Sequence, residues 1–477
     1  MSKPHVAVLP SPGLGHVTPL LELAKRLVTQ FDLHVTVLVV TSTIPSPALS
    51  QLLHSPALPA DLDVVELPPV DAAALVTDEM QLLTQLAVMV EHSLNASLKS
   101  VLLEIGTPKA LIIDIFCTQA FDICKPLSIP VYSFFTASVA LMTFSLYLPT
   151  MDREIDGEFV DLPEPVAVPG CTPIRTADLL DQVKDRTNDE YRWYLHHVGR
   201  LPEAAGIFLN SWEGIEPVSI KSLTEHPFYR GIPIPEIFPV GPLIKQVECT
   251  AETDAELINW LDEQPSKSVL FVALGSGGTF TSAQLTELAW GLELSEQRFV
   301  LVARFPWDRS ASAAYFNAGS GGGEEDGPAR YLPEGFVERT KGRGVVVASW
   351  APQIAVLGHV ATGGFLSHCG WNSTLESVSS GVPMIAWPLY AEQRMNATIL
   401  EEEVGVAVKM AAAAGDGAAA VVGREEIERV VRLVMEGEKG KEMREKARLL
   451  KESAAKAVSG GGGSSESMAK VAEGWKK

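Results

Sequence analysis

Short runs of apolar, often β-branched residues alternate along the chain with longer stretches whose apolar residues recur at helical spacing. This alternation predicts strands connected by helices, the pattern of parallel sheets covered by helices. The first half contains such runs at residues 5–10, 34–42, 63–68, 110–116, 131–135 and 206–211. The second half contains them at residues 268–275, 298–304, 344–349, 363–368 and 383–388. Each half therefore predicts a doubly wound α/β domain.

A proline-rich stretch at residues 233–253 separates the two halves, and its composition suits an exposed connection. The chain of 477 residues is also longer than one hydrophobic core usually supports. We therefore expect a first domain at residues 1–243, a linker at 244–253, a second domain at 254–459 and a terminal helix at 460–477. Residues 310–329 and 411–420, rich in glycine or alanine, are expected to be surface insertions without a chemical role.

Charge and cysteine content narrow the class of protein. The formal net charge of −21 opposes binding to nucleic acid or to an anionic membrane surface. Five cysteines without a CxxC pair form neither a disulfide framework nor a zinc-ligand spacing, which fits a reducing compartment. The N-terminal residues lack a signal-peptide pattern, and the longest apolar stretch, residues 133–149, predicts a buried helix and not a membrane span. We expect a cytoplasmic monomer without membrane insertion.

A glycine loop that ends in a histidine directly follows the first predicted strand. Residues 11–16 read Ser-Pro-Gly-Leu-Gly-His, but Thr18 stands where a dinucleotide-binding fingerprint needs its third glycine. The missing glycine weakens the hypothesis of a nicotinamide or flavin enzyme. His16 would begin the following helix, where the positive end of the helix dipole favours the neutral imidazole that a general base requires. The alternative is a polar residue that only closes a turn.

A carboxylate ends the fourth predicted strand. Asp114 follows a wholly apolar run, and an ionised aspartate is costly to bury without a partner. An imidazole from the neighbouring loop, that of His16, would be such a partner, and the pair would form a general base with its orienting group. Phe116 would provide a wall for a planar ligand. The alternatives are an aspartate that caps the next helix and a phenylalanine of the core.

Residues 350–393 form the third region of candidate chemistry. The predicted strand at residues 363–368 runs into an amphipathic helix. The first-turn amides of such a helix have no intrahelical partners and lie at its positive end, which makes a site for a diphosphate. Further groups expected at the same phosphates are His368, Asn372, Ser373, Ser276 and Gly277. The alternative is a buried strand–helix–strand unit in which the tryptophans and histidines only pack.

Residues 350–393 resemble, over their whole length, the signature box of plant UDP-dependent small-molecule glycosyltransferases. The resemblance extends to the loops of His16 and Asp114, to the segment around Thr136 and to the loop at residues 275–279, so it spans both halves. The sequence looks closest to the hydroquinone and phenylpropanoid glucosyltransferases. The resemblance implies the GT-B fold, two Rossmann-like domains that face each other across a cleft. The first would bind the acceptor, the second the UDP-sugar, and the terminal helix would pack back on the first.

The resemblance also implies roles for residues of both halves. Trp350 would stack on the uracil while the backbone of Ala351 pairs with its edge, and Gln353 and Glu376 would hold the ribose. The side chains implied at the diphosphate are His368, Asn372, Ser373 and Ser276. Those implied at the sugar are Trp371, Glu392, Gln393 and Thr136.

The resemblance predicts the transfer of glucose from UDP-glucose to a hydroxyl of a small phenolic or other aromatic acceptor lying near Phe116. Gln393 accompanies glucose as donor sugar in this family, and Glu392 keeps a carboxylate where many members have aspartate. His16 would take the proton of the hydroxyl as its oxygen attacks the anomeric carbon opposite UDP, while Asp114 steadies the imidazolium. Such a displacement inverts the anomeric centre and gives a β-glucoside.

No cofactor is expected, because UDP-glucose acts as a co-substrate. No metal is expected either. An Asp-x-Asp pair that could hold a divalent ion occurs at Asp61 and Asp63, but it precedes a strand of the first half and is interpreted as a solvated turn. The charge of departing UDP would instead be neutralised by His368 and helix amides. Two other classes stay open, a non-catalytic nucleotide-sugar-binding protein and a dinucleotide-dependent oxidoreductase.

Overall fold

The chain divides into two compact units in a computed structural model that describes residues 3–43, 46–77, 80–245, 252–307, 331–411 and 421–476. The first unit comprises Met1–Ile244 and Ala454–Lys477, and the second comprises Lys245–Ser453. We call them the N-terminal and the C-terminal domain. The predicted linker at 244–253 and the predicted insertions at 310–329 and 411–420 lie mostly outside the described residues.

A parallel sheet of seven strands forms the centre of the N-terminal domain. The strands are β1 (His5–Leu9), β2 (His34–Val39), β3 (Leu62–Glu66), β4 (Leu111–Asp114), β5 (Val131–Phe135), β6 (Ile207–Leu209) and β7 (Ile237–Pro239). Their order across the sheet is β3-β2-β1-β4-β5-β6-β7. In the centre, Ala7 of β1 pairs with Leu111 of β4 and Val8 with Ile112. All four of these residues are buried, as expected for strands covered on both faces.

Ten of the α-helices belong to the first segment of this domain. They are α1 (Leu14–Phe31), α2 (Pro47–Leu53), α3 (Ala72–Leu75), α4 (Leu82–Ser93), α5 (Lys99–Glu104), α6 (Ala120–Cys124), α7 (Val139–Glu154), α8 (Asp189–Gly199), α9 (Pro217–Glu225) and α10 (Pro227–Arg230). Helix α1 follows Gly13, whose φ of 107° lies in the region that favours glycine. It buries Leu20, Leu23 and Leu27 against the sheet.

The proline-rich stretch at residues 233–253 is not wholly an exposed connection, and this part of the prediction is wrong. Ile237–Pro239 forms β7, which pairs in parallel with β6 at the edge of the sheet. Proline is tolerated there because an edge strand has one side without ladder hydrogen bonds. The apolar stretch at residues 133–149 likewise divides between the end of β5 and helix α7, which is capped by the side chain of Ser138.

A second parallel sheet forms the centre of the C-terminal domain. Its strands are β8 (Val269–Ala273), β9 (Arg298–Ala303), β10 (Gly344–Ala348), β11 (Thr362–Ser367), β12 (Met384–Ala386) and β13 (Ala407–Lys409). Their order is β10-β9-β8-β11-β12-β13. The edge strand β13 was not predicted, because its three residues give no recognisable pattern.

Within the described residues, eight α-helices begin in this domain, and the last of them continues past its end at Ser453. They are α11 (Glu252–Asp262), α12 (Ser282–Ser295), α13 (Phe336–Arg339), α14 (Gln353–Gly358), α15 (Trp371–Ser380), α16 (Gln393–Ile399), α17 (Arg424–Met435) and α18 (Glu438–Val458). Leu285, Leu288 and Leu292 of α12 share a core with Ile427 and Val431 of α17. Across the described parts of both domains, every helix is too short or too polar to cross a bilayer.

The last helix, α19 (Gly463–Lys476), belongs to the core of the N-terminal domain. Met468, Val471, Ala472 and Trp475 are buried in the cluster that also contains the apolar residues of α1. The indole of Trp475 lies edge-on to the ring of Tyr132, with centroids 5.4 Å apart. The apolar face of α19 thus completes a core whose other buried members lie between Val6 and Leu243.

Replacing the buried indole of α19 is expected to destabilise the N-terminal domain. Trp475→Ala should lower its free energy of unfolding by about 3 kcal/mol or more, since it removes a large apolar side chain and leaves a cavity. The midpoint of urea denaturation, followed by circular dichroism, measures the effect. Trp475→Phe should lose less, and Leu449→Ala, at a residue of α18 that is 51% exposed, should keep the wild-type midpoint. A wild-type midpoint for Trp475→Ala would contradict the packing described here.

Candidate active site

In both sheets the strand order reverses between two central neighbours, which are β1 and β4 in the first sheet and β8 and β11 in the second. The loops that leave such neighbouring strands diverge and open a crevice at the carboxyl edge of a parallel sheet. The candidate residues lie at these two points. His16 follows β1 and Asp114 ends β4, while Ser276 follows β8 and His368 follows β11.

The His16 imidazole and the Asp114 carboxylate are in direct contact. The distance from His16 Nδ1 to Asp114 Oδ2 is 2.7 Å, and the carboxylate is fully buried while the histidine side chain is 17% exposed. The other carboxylate oxygen, Oδ1, accepts hydrogen bonds from Ser11 Oγ at 2.9 Å and from the backbone amide of Phe116 at 3.1 Å. Because a carboxylate only accepts, Nδ1 donates to it, and in this tautomer the acceptor nitrogen of the neutral ring is Nε2.

Two further predicted residues lie beside this pair. Thr136 Oγ1 is 3.2 Å from His16 Nδ1. The ring of Phe116, partly exposed, has its centroid 5.4 Å from that of His16. Asp114 does not cap the next helix, because α6 begins only at Ala120, with Gln119 at its N-cap position. Sequence reasoning missed Ser11, although a polar residue just after a buried strand was a usable signal.

The His368 ring is enclosed by glycine backbone. A Cβ placed on Gly275 would lie 2.4 Å from its Cε1 atom, and one on Gly370 would lie 2.4 Å from Nε2, so both positions require glycine. Burial, assisted by the charge of Arg304, lowers the pKa of His368 to about 3. The imidazole is therefore neutral at physiological pH. In this form it can donate an N–H to an anion, and its expected role at the departing UDP stays a prediction.

Helices α14 and α15 bring three predicted residues together. Gln353 Nε2 donates to Ser373 Oγ at 3.0 Å and to Glu376 Oε2 at 2.5 Å. Ser373 and Glu376 are one turn apart on α15 and therefore share a face. Burial raises the pKa of Glu376 to about 7, although the hydrogen bond from Gln353 acts in the opposite direction. This carboxyl group therefore changes its ionisation near neutral pH.

Trp350 and Ala351 lie in the loop between β10 and α14. The side chain of Trp350 is 51% exposed, whereas Ala351 is buried. An indole so open to solvent offers a flat apolar surface for a planar ligand. Ser349, just before it, has a φ of 59°, a left-handed conformation that non-glycine residues rarely adopt.

Three of the four side chains predicted at the sugar lie at the beginnings of α15 and α16, whereas the fourth, Thr136, lies beside His16. Trp371 begins α15 and is followed by Asn372, which is predicted at the diphosphate. Glu392 is the N-cap residue of α16.

Gln393 begins α16. Its side-chain Oε1 accepts hydrogen bonds from the backbone amides of Leu389 at 2.8 Å and Tyr390 at 3.1 Å, and its side-chain NH₂ group takes no part in these two bonds.

One connecting residue in this region was not predicted from the sequence. Asn396 Nδ2 donates to the carbonyl of Cys369 at 3.0 Å and to Glu392 Oε1 at 3.3 Å. It thereby links the loop before α15 to the beginning of α16.

Comparison with known proteins identifies the family. Residues 332–444 match the family model described as UDP-glucoronosyl and UDP-glucosyl transferase. Over 476 residues the chain is 42% identical to anthocyanidin 3-O-glucosyltransferase 5 of Manihot esculenta, with 100% of this chain and 96% of that protein covered. The chain belongs to the UDP-glycosyltransferase family.

Two further relatives support this assignment to the glycosyltransferases. The chain is 42% identical to the hydroquinone glucosyltransferase of Rauvolfia serpentina over 474 residues, with 99% of this chain and 98% of the relative covered. A solved structure of a Phytolacca americana protein, complexed with UDP-2fluoro-glucose and pterostilbene, superposes with a TM-score of 0.87 at 40% identity and full coverage of both chains. This glycosyltransferase therefore has the GT-B type of fold, built from two α/β domains that each contain a parallel sheet.

The Asp-x-Asp pair of the sequence is not wholly a solvated turn before a strand, because Asp63 lies within β3, and both carboxylates contact side chains of the N-terminal domain. Lys3 Nζ lies 2.9 Å from Asp61 Oδ2, and His34 Nε2 lies 2.8 Å from Asp63 Oδ2. Among the residues that the structure describes, no group of three or more histidine, cysteine, aspartate or glutamate side chains is arranged to hold a metal ion.

The raised pKa of Glu376 predicts a pH-dependent stability. In the unfolded chain the carboxyl ionises near 4.5, and in the folded protein near 7, so the folded form binds the proton more tightly. The carboxyl therefore does not weaken folding below pH 4.5 and weakens it increasingly as the pH rises towards 7 and above. Glu376→Gln, which keeps an acceptor for Gln353, should relieve a penalty of up to about 3 kcal/mol at pH 8 and little at pH 5.

Thermal melting of the two proteins at pH 5 and pH 8 measures this difference. Glu442→Gln, at an exposed position on α18, is the control and should melt like the wild type at both pH values. An equal gain of Glu376→Gln at both pH values would contradict the ionisation described for this carboxyl.

Proposed function

We propose that this protein transfers glucose from UDP-glucose to a hydroxyl group of a small phenolic or other aromatic acceptor, with inversion at the anomeric carbon. The observation that carries the proposal is the contact of 2.7 Å between His16 and the buried Asp114, in a member of a family of UDP-sugar transferases. Relatives named for anthocyanidin and hydroquinone, and a neighbour complexed with pterostilbene, support an aromatic acceptor.

His16 is the proposed general base. Its Nε2 accepts the proton of the acceptor hydroxyl while the oxygen attacks the anomeric carbon. The imidazolium that forms is stabilised by Asp114, whose second oxygen is held in place by Ser11 and the amide of Phe116. The proposed acceptor ring packs against the ring of Phe116, and Thr136 would contact the sugar from beside His16.

The C-terminal domain is the proposed donor site. The exposed face of Trp350 stacks on the uracil, and the backbone of Ala351 pairs with its edge. The ribose hydroxyls donate to Glu376 and contact Gln353, which are already in contact with each other. The groups proposed at the diphosphate are Ser276, Gly277, His368, Asn372 and Ser373. Those proposed at the sugar are Trp371, Glu392 and Gln393.

A single displacement by the acceptor oxygen inverts the anomeric centre, so an α-linked donor yields a β-glucoside without a covalent sugar–enzyme intermediate. We further propose that the reaction needs no metal, since backbone amides at the beginning of α15 and neutral side-chain donors suit the phosphate oxygens. Glucose is the proposed sugar because Gln393 occupies the position that accompanies it in the resembled family. We also propose that the protein is a monomer and is located in the cytoplasm.

The direct experiment is to incubate the purified protein with UDP-glucose, UDP-galactose or UDP-glucuronic acid and a panel of phenols, with EDTA present. Mass spectrometry should find the hexose adduct of a phenol, formed fastest from UDP-glucose, and NMR should show a β-linkage. Product formed only after manganese is added would contradict the metal-free reaction. An α-linked product would contradict the single displacement.

Removal of the imidazole is expected to stop transfer without loss of the donor. His16→Ala should lower kcat by about 10³-fold, within the range found when a general base is removed, while the Kd for UDP stays that of the wild type. His54→Ala, at an exposed histidine of the same domain, should keep full activity. Full turnover by His16→Ala would exclude His16 as the base. A wild-type protein that binds UDP but forms no product with any acceptor would favour the non-catalytic binding protein instead.

A further inference from the structure

Arg304 is a partly buried cation of the C-terminal domain that the proposed mechanism does not use. It lies directly after β9, at the carboxyl edge of the sheet, where the other candidate residues of this domain also lie. Its guanidinium donates from Nε to the carbonyl of Ser349 at 3.0 Å and from Nη1 to the carbonyl of Gly278 at 3.2 Å. Among the described residues, no carboxylate lies within ion-pair distance of it.

A largely desolvated arginine that has no anionic partner among the described residues is costly, because two carbonyl dipoles replace only part of the lost hydration. Desolvation accordingly lowers the pKa of Arg304 to about 10, so the group is still charged at physiological pH. A neutral side chain would avoid this cost. The arrangement is therefore explained best by what the guanidinium holds in place.

The two carbonyls belong to two different loops of the proposed donor site. Gly278 lies in the loop at residues 275–279, which also contains Ser276 and packs against the ring of His368. Ser349 immediately precedes Trp350, and its left-handed backbone conformation has to be maintained by neighbouring contacts. Trp350 itself is half-exposed and so has little packing to fix its position.

The guanidinium suits this task because it is planar and presents its donors in fixed directions. One group can thus satisfy two carbonyls that belong to different loops. A lysine ammonium carries the same charge, but it is a point donor on a flexible stem and does not fix both carbonyls with the same geometry.

We propose that Arg304 is a positioning residue for the UDP-sugar, which holds the loop before Trp350 and the loop at residues 275–279 at the separation that the nucleoside diphosphate requires. The inference rests on the proposed function, because it takes Trp350 as the uracil platform. It adds a residue outside the signature box on which binding of the nucleoside depends. Arg304 acts through Trp350 and does not itself contact the uracil.

The test compares the binding of UDP and of uridine, which lacks phosphates, to the full-length protein by calorimetry. Arg304→Met should weaken the binding of both ligands about tenfold, the effect expected when hydrogen bonds from a charged donor are lost. Arg304→Lys should weaken both to an intermediate extent. In steady-state assays the KM for UDP-glucose should rise by a similar factor while kcat changes little. Arg298→Met, at the opposite end of β9, is the matched control and should bind like the wild type.

A double-mutant cycle with Trp350→Ala separates positioning from a general structural effect. If Arg304 acts through Trp350, Arg304→Met should weaken uridine binding little further once the indole is gone. Equal and independent losses from the two substitutions would overturn the proposal. A loss confined to UDP, with uridine binding unchanged, would also overturn it, because the charge alone would then act on the phosphates.

The remaining outcomes distinguish this inference from the proposed function. If the wild type binds UDP and Trp350→Ala weakens it, but Arg304→Met does not, only the role of Arg304 falls. If the wild type binds neither UDP nor uridine, both the proposed donor site and the proposed role of Arg304 are contradicted. Should Arg304→Met not fold, Arg304→Lys carries the test, and wild-type uridine binding by that variant would overturn the proposal. Failure of both variants to fold would assign Arg304 to the core and overturn it as well.

Discussion

The parallel direction of the strands is the constraint on which both candidate sites depend. In a parallel sheet every strand ends at the same edge, and the loops that follow adjacent strands are brought close together. Between β1 and β4 this places His16 beside Asp114, although 98 positions separate them in the sequence. Between β8 and β11 it places the glycine loop at residues 275–279 against the ring of His368. His16 is also held by helix α1, of which it is the third residue.

Three ionisable groups of the candidate sites, one buried and two partly buried, differ in the hydrogen bonds that they receive or donate. The Asp114 carboxylate accepts hydrogen bonds from the imidazole of His16, the hydroxyl of Ser11 and the backbone amide of Phe116, which together fix its orientation. Glu376 accepts a hydrogen bond from the side-chain amide of Gln353, and burial raises the pKa of this carboxyl group to about 7. Arg304 has two carbonyls and no anion among the described residues. A carboxylate held by three donors fixes the orientation of the imidazole that it contacts. The arginine thus has its donors engaged by two loop carbonyls, whereas the carboxyl of Glu376 has its donor in Gln353.

The sequence predicted the central strands and the pair of His16 and Asp114, because long apolar runs followed by isolated polar residues are visible without knowledge of the fold. It did not predict β7 and β13, since three-residue edge strands form through pairing with a neighbour and not through their own pattern. The residue types in the signature box were recognisable, but the hydrogen bonds of Gln353 to Ser373 and Glu376 depend on how α14 packs against α15. Ser11, Asn396 and Arg304 were missed for the same reason, because their partners are contributed by other segments.

The place of α19 in the N-terminal domain has a consequence for folding during synthesis. The C-terminal domain is one continuous segment, Lys245–Ser453, and all of its core residues are available once that segment has left the ribosome. The core of the N-terminal domain still lacks Met468, Val471, Ala472 and Trp475 at that moment. Although its first strands are translated earliest, this domain reaches its final packing last. During synthesis, the apolar surface that α19 will cover therefore stays exposed until these residues have been added.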